Sequence, residues 1–243
     1  MSAVSEPDRF DGENMGETTN SRVHKAIVAD IVSGYFAPGA RLKIADLCKR
    51  YGLSHMPIRQ ALQQLQGEGL IVMVPHKGAS VRALDRQFLT EHYQVQVALC
   101  TIYYRDIVAC ADAALDEALA KIQRQFDEAM ERGDVAACDK FDHNLHHEIE
   151  SRCQNREAVR LGQTYKSLTG TLRDVLGRSI DRLRGISEEH WKIVEAIKAR
   201  DGEAAIAAGQ EHIRRAQGSM NQTLPVATTH GPVSTEAPGE ASL

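Results

Sequence analysis

Residues 47–62 read LCKRYGLSHMPIRQAL, and this stretch decides the fold of the N-terminal part of the chain. The apolar positions Leu47, Ile58 and Leu62 predict two short helices that pack together across a turn at Gly52. A helix that packs on the helix before it and exposes polar side chains at its start can enter the major groove of DNA. The stretch therefore predicts a helix-turn-helix.

The flanking residues extend this motif to a small domain. Apolar positions within 23–31 recur at helical spacing and predict a helix before the motif. Residues 70–74 and 79–82 predict two short strands around a turn at 75–78. Helix, helix, turn, helix and hairpin is the order of a winged helix-turn-helix, which we expect to occupy residues 21–84.

Charge is distributed unevenly along the 243 residues. Residues 21–84 contain nine Lys and Arg against three Asp and Glu, whereas residues 85–243 sum to about -6. A basic domain fits the phosphate backbone of double-stranded DNA. The side chains expected to face DNA are His55, Met56 and Arg59 on the third helix and Arg41, His76 and Lys77 beside it.

The remainder of the chain predicts an all-α helical bundle, so the fold class is mostly α. Residues suited to helix ends or N-caps separate six predicted helices. These helices are 86–109, 112–132, 134–153, 155–178, 182–200 and 202–220. Residues 1–20 and 221–243 lack apolar periodicity and predict disordered tails, which leaves 85–220 as the helical domain.

Composition excludes several classes of protein. No apolar stretch reaches the roughly 18 residues of a membrane-spanning helix, and the acidic, polar N-terminus is unlike a signal peptide, so we expect a cytoplasmic protein without a membrane partner. Five cysteines with no close spacing predict reduced thiols and no disulfide framework.

A cluster of metal-ligating residue types lies in the helical domain. Asp142 and His146 are four residues apart on a helix, so they share a face, and the apolar stripe of that helix turns Asp142 inward. His190 and His212 lie on the inward faces of two later helices. One carboxylate and three imidazoles suit Zn²⁺, Ni²⁺ or a similar divalent ion.

Spacing alone leaves a simpler alternative open. A histidine on an apolar face can be a hydrogen-bonded core residue, and Asp142 could pair with Arg173 or Arg178 instead of a metal. His143 and His147 also lie four residues apart, but their phase on the helix predicts that they face solvent.

The basic domain resembles a known family. Residues 38–42 (PGARL), 54–62 (SHMPIRQAL), 68–71 (EGLI) and 75–81 (PHKGASV) are similar to the winged-helix domain of GntR-type bacterial transcription regulators. The resemblance implies DNA contacts from Arg41, Arg59 and a wing tip at His76, Lys77 and Gly78. The family often has Arg and Thr where this chain has His55 and Met56, which changes the expected operator sequence.

The helical domain resembles the FCD effector domain of the FadR-type branch, in its shorter, VanR-like variant with six helices. The resemblance rests on DxxxH at 142–146, on EHWKIVEAI at 189–197 and on EHI at 211–213. It implies that Asp142, His146, His190 and His212 hold the ion. It further implies that the ion coordinates the carboxylate of a small organic acid.

The predicted effector pocket departs from the family pattern. The first helix of such domains often reads RxxLE, whereas this chain reads QVALC from Gln96 onward. A positive charge that is often present near the cavity is thus absent, and Arg105 or Arg173 could supply it. The pocket residues implied in this way are Gln96, Tyr103, Arg105 and Arg173.

The resemblance and the motifs predict a transcription regulator that binds a pseudo-palindromic operator as a homodimer, and we expect it to be a repressor. One alternative keeps the DNA-binding function but makes the metal purely structural. A remote alternative is a metallohydrolase fused to a winged helix. The run HNLHHE at 143–148 does not fit this reading, since neither HExxH nor HxxEH is present. We therefore expect no enzymatic activity.

Overall fold

The computed structural model describes residues 18–74 and 78–224. Its N-terminal part contains three helices and three short strands. The helices are α1 (Thr19–Val32), α2 (Ile44–Tyr51) and α3 (His55–Gly67), and the strands are β1 (Arg41–Leu42), β2 (Ile71–Val74) and β3 (Gly78–Val81). This is the winged helix-turn-helix that the sequence predicts, with α3 at the position predicted for the recognition helix.

Local chemistry explains the turn between α2 and α3. Gly52 ends α2 with φ 66°, a left-handed conformation that favours glycine. Ser54 occupies the N-cap of α3, although its side chain makes no capping hydrogen bond. On the opposite side of α2, Arg50 pairs with Asp30 of α1 at 2.6 Å and thereby fixes the motif on the first helix.

The sheet has one strand more than the sequence analysis predicts. The strand order is β1-β3-β2, and all pairs are antiparallel. Arg41 of β1 lies opposite Ser80 of β3. A two-residue strand has no readable periodicity, which is why β1 was missed, and it places Arg41 beside the wing.

Six helices form the C-terminal part of the described chain, close to the predicted bounds. They are α4 (Arg86–Cys110), α5 (Ala113–Glu131), α6 (Val135–Ser151), α7 (Arg156–Leu176), α8 (Ile180–Lys198) and α9 (Gly202–Thr223). Each begins after a residue whose side chain accepts a hydrogen bond from a backbone N–H of the first turn. These N-caps are Asp85, Asp112, Asp134, Asn155, Ser179 and Asp201.

Helical structure extends a few residues into both of the segments predicted to be tails. Thr18 caps α1, which already includes residues 19 and 20, and α9 continues to Thr223. Residues 1–17 and 225–243, where the rest of both predicted tails falls, lie outside the described chain. No helix within the described ranges is long and apolar enough to span a bilayer.

The helix α7 connects the two parts of the molecule. Leu168 and Leu172 of α7 are fully buried in the same core as α1 and α3. At the surface of this contact, Lys25 of α1 lies 2.8 Å from Asp174, and Ser167 donates to Glu68 at 2.6 Å. The N-terminal part therefore rests directly on α7, and Phe88 of α4 and Met220 of α9 belong to the same core.

Candidate DNA interface and metal centre

The recognition helix α3 separates an inner from an outer face. Ile58 and Leu65 are fully buried against α1 and α2, and they hold the helix in place. His55, Met56 and Arg59 are exposed, and Met56 keeps 64% of its surface. The exposed residues lie in the first two turns, which is the part of a recognition helix that reaches base edges.

The remaining predicted DNA contacts border this helix. Arg41 is exposed on β1, and Gly78 opens β3 with φ 83°, a left-handed conformation that favours glycine. His76 and Lys77, the other two residues of the predicted wing tip, lie outside the described residues. The described part of the predicted surface thus combines two guanidinium groups with the exposed His55 and Met56.

In the helical domain, the four predicted metal ligands meet at one point. Asp142 and His146 come from α6, His190 from α8 and His212 from α9, and one ligand atom of each lies within 4.8 Å of the others. We call these four residues the Asp/His cluster. Asp142, His190 and His212 are buried and His146 is half-buried, so three helices converge on a largely dry site.

Hydrogen bonds orient two of the imidazoles. His190 Nδ1 donates to Gln123 Oε1 at 3.0 Å, and His212 Nδ1 donates to Glu189 Oε2 at 2.7 Å. Both rings therefore keep the Nε2 lone pair for the centre of the cluster, as metal-ligating histidines do when a second group holds the other nitrogen. Neither Gln123 nor Glu189 is among the site residues predicted from the sequence.

An unsatisfied atom supports a metal in this place. His190 is completely buried, and its Nε2 has no hydrogen-bond partner within the described chain. It lies 3.4 Å from Asp142 Oδ1. A buried nitrogen without a partner costs free energy, and a divalent ion bound by the four ligand atoms would remove that cost. The donor set thus fits the ion that the sequence predicts.

The protonation states are those that bind metals. Burial lowers the pKa of His212 to about 4, and burial, together with the positive charge of Lys166, holds the pKa of His146 well below its ordinary value. Burial acts to raise the pKa of Asp142. The adjacent His190 imidazole and the nearby positive charges outweigh it, so that pKa is well below its ordinary value. His146 and His212 are therefore neutral, and Asp142 is ionised, as metal ligands must be.

The simpler alternative is realised in part. Arg178 lies 3.3 Å from Asp142 and 3.1 Å from Asp139, so Asp142 has a cationic neighbour as well as the three imidazoles. Arg173 makes no ion pair with Asp142. His143 and His147 are exposed and their rings stack, as their phase on α6 predicts.

A cavity of about 70 Å³ adjoins the cluster. His146 and His212 form part of its wall, together with the predicted pocket residues Gln96, Tyr103 and Arg173. The walls also include residues that the sequence analysis missed. These are Lys166 and Glu150, which pair with each other, and a set of apolar side chains.

The assignment of Arg105 to this cavity is wrong. Arg105 is exposed and lies beside residues 199–203 at the surface. It follows Gln96 by nine residues on α4, which is half a turn around the helix, whereas Tyr103 follows Gln96 by seven and shares its face. Lys166 precedes Arg173 by the same seven residues on α7, so the two share a helix face. This spacing could have predicted Lys166 as a pocket residue.

Both domains of the chain match known protein families. Residues 19–81 match the family model described as bacterial regulatory proteins of the gntR family, and residues 78–215 match the FCD domain. The Nta operon transcriptional regulator of Aminobacter aminovorans is 28% identical over 188 residues, which cover 76% of this chain and 86% of that protein.

Two further proteins are similar over most of the chain. The transcriptional repressor RspR of Escherichia coli is 23% identical over 213 residues, covering 86% of this chain and 92% of that protein. The solved structure of E. coli McbR/YncC shares the fold with a TM-score of 0.57 and 19% identity, over 85% of this chain and 98% of that one. The chain therefore belongs to the GntR family with an FCD domain, and it is a DNA-binding transcription regulator and not an enzyme.

Proposed function

We propose that this regulator is a repressor whose affinity for its operator is controlled by a small organic acid bound at a divalent metal in the Asp/His cluster. The observation that carries this proposal is the cavity beside the cluster. A purely structural ion needs closed coordination, whereas here two of the four ligands, His146 and His212, also face a cavity.

The metal site has a simple chemical role in this proposal. Asp142, His146, His190 and His212 would hold the ion, with Zn²⁺ or Ni²⁺ as the best match to one carboxylate and three imidazoles. When bound, the ion supplies a Lewis-acidic positive charge that a carboxylate of the effector can coordinate. Gln123 and Glu189 keep His190 and His212 in the tautomer that this requires.

The DNA-binding part of the proposal assigns base contacts to His55, Met56 and Arg59. The phosphate contacts are assigned to Arg41 and to the wing at residues 76–78. A single winged helix offers few contacts, so we propose a homodimer, joined through the helical domain, that places two recognition helices on a pseudo-palindromic operator. Repression is proposed because relatives such as RspR are named repressors.

The recognition helix can be tested with a duplex selected from a randomised DNA pool by the full chain. Arg59→Ala should weaken binding of that duplex by about 1–3 kcal/mol, because a guanidinium contact to a base or phosphate is lost. Arg105→Ala removes an equally exposed guanidinium from α4 and is the matched control. Equal affinity of both variants would show that α3 does not read the operator.

The acid-binding site can be tested by thermal shift with a panel of small carboxylic acids, with zinc and with chelator. Acids that raise the melting temperature only when zinc is present support effector control through the metal, since a ligand stabilises the folded state to which it binds. A melting temperature that rises with zinc but does not change with any acid would favour the alternative in which the ion is purely structural. Sedimentation of the full chain with the selected duplex gives the stoichiometry.

A further inference from the structure

We propose that the acid carries two carboxylates and that Arg173 and Gln96 bind the one that the metal does not. This inference rests on the proposed acid-binding function and names the class of ligand, a short dicarboxylate. Its basis is a set of unmet donors and an unbalanced charge around the cavity.

Arg173 is a guanidinium without a carboxylate. It lines the cavity beside the Asp/His cluster and the two neighbouring cavities that reach Asp142. Within residues 18–74 and 78–224, no ion pair joins Arg173 to an acid, and its Nε is buried without a hydrogen-bond acceptor. The other two arginines here are committed, Arg178 to Asp139 and Asp142, and Arg182 to Glu189.

Gln96 presents a second unmet donor to the same cavity. The residue is 9% exposed, and its Nε2 is buried without an acceptor in the described chain. Tyr103, which stands on the same face of α4, already donates its hydroxyl to the Ala158 carbonyl at 2.7 Å. Both unmet groups that line the cavity are thus donors, so the missing partner is an acceptor, and beside a guanidinium a carboxylate is the strongest one.

The charges around the site point to the same ligand. Lys166, Arg178 and Arg182 each pair with an acid of the site, whereas Arg173 does not. A divalent ion adds two positive charges near this unpaired guanidinium. Since uncompensated charge in a buried site is costly, one carboxylate beside the ion and a second beside Arg173 would compensate both.

Size limits the ligand to a short chain. The cavity of about 70 Å³ has room for about five to seven water-sized groups, at about 10–15 Å³ for each. Leu99, Ile149 and Ile213 provide apolar wall for the carbon atoms between the carboxylates. A dicarboxylate of about four carbons meets both the size and the charge of the site, whereas a long-chain acid does not.

The test compares acids that have the same number of carbons and differ in one carboxylate. Titration calorimetry of the zinc-loaded full chain would measure succinate against butyrate, and malate against 2-hydroxybutyrate. We expect each dicarboxylate to bind at least about tenfold more tightly, which corresponds to about 1.4 kcal/mol. Arg173→Gln should reduce that preference to less than about threefold, whereas the control Arg105→Gln should retain it.

The outcomes separate this inference from the proposed function. Equal binding of the paired acids, or a dicarboxylate preference that survives in both Arg173→Gln and Gln96→Leu, overturns the dicarboxylate assignment but leaves acid sensing intact. If zinc binds and no acid of either kind does, both proposals fail. The melting temperature of Arg173→Gln shows whether that variant folds. If it does not fold, Gln96→Leu replaces it as the test of the dicarboxylate preference. A loss of preference in Gln96→Leu supports the assignment.

Discussion

Two buried groups of histidine and carboxylate side chains in this molecule differ in one respect. At the contact between the domains, Glu68 accepts hydrogen bonds from His24 at 2.7 Å, Gln64 at 3.0 Å and Ser167 at 2.6 Å. We call these four residues the boundary cluster. None of their side-chain atoms is buried without a partner, whereas His190 Nε2 in the Asp/His cluster is.

The comparison separates a structural group from a ligand site that uses the same residue types. The boundary cluster is complete with protein atoms alone, and His24 at 2% exposure needs nothing further. The Asp/His cluster directs three imidazoles and a carboxylate at one point, and protein atoms do not satisfy them all. In the proposed function an ion completes it, so we expect the two clusters to respond differently to zinc.

Zinc should produce the largest difference between the clusters. At 100 times its dissociation constant, zinc stabilises the folded chain by about 2.7 kcal/mol, which raises the melting temperature by roughly 5–10 °C for a protein of this size. His190→Ala removes a completely buried ligand, so we expect it to abolish the rise. Differential scanning calorimetry with zinc and with chelator measures the effect.

The control for this experiment lies on the neighbouring helix α6. His143 is exposed and does not belong to the Asp/His cluster, so His143→Ala should keep the full zinc response. A zinc response that is equally reduced in His143→Ala and His190→Ala would assign the ion to another place.

Glu68→Leu should destabilise the chain by about 2 kcal/mol, and by the same amount with zinc and with chelator. The substitution leaves His24 buried without its partner, and an unmet buried polar group costs about 1–3 kcal/mol. Urea denaturation provides the measurement. Glu91→Leu, at an exposed position of α4, is the control and should change stability by less than about 0.5 kcal/mol.

A smaller change within the boundary cluster sharpens the result. Ser167→Ala removes one hydrogen bond to Glu68 and leaves the other two, so it should cost about 1 kcal/mol, half as much as Glu68→Leu. A cost of Glu68→Leu that disappears when zinc is added would mean that the two clusters are energetically linked through α7.

The fold could be predicted from the sequence because its boundaries carry local signals. The capping residues Asp85, Asp112 and Asn155 stand where the predicted helices begin, and Gly52 marks the turn of the helix-turn-helix. The strand Arg41–Leu42 was missed because its partner β3 lies about 40 residues further along the chain, and only that pairing defines it.

The site was predictable only where its residues share a helix or a family motif. Asp142 and His146 have the spacing of a common face. Helical phase places His190 and His212 on inward faces, and the resemblance assigns them to the same ion. The supporting residues carry no such signal, since Gln123 lies 67 residues before His190 along the chain. Packing of α5 against α8 brings them together, and that contact cannot be read from one helix alone.

Gln123→Leu should weaken zinc binding by about tenfold, which is near the lower limit for a residue that orients a metal ligand. The substitution removes the acceptor for His190 Nδ1, so the ring can rotate or change its tautomer while all four ligands remain. Competition with a zinc-binding dye measures the affinity. Gln125→Leu on the same helix is the control, and identical affinities of the two variants would exclude a positioning role for Gln123.

The smallest expected effect concerns His92, which lies near the boundary cluster and is 5% exposed. Burial lowers its pKa below the ordinary 6.5, against the opposing effects of its hydrogen bond to the Tyr165 carbonyl and of the charge on Glu68. As the pH falls below 6.5, the unfolded chain takes up this proton before the folded chain does, so stability present above pH 6.5 is lost. His92→Gln can keep a donor to Tyr165 and should make the loss between pH 6.5 and 5.5 smaller by up to about 1 kcal/mol. Urea denaturation with saturating zinc measures this difference, and His143→Gln at an exposed position is the control. If the free energies of unfolding of the two variants change in parallel with pH, His92 does not titrate on unfolding.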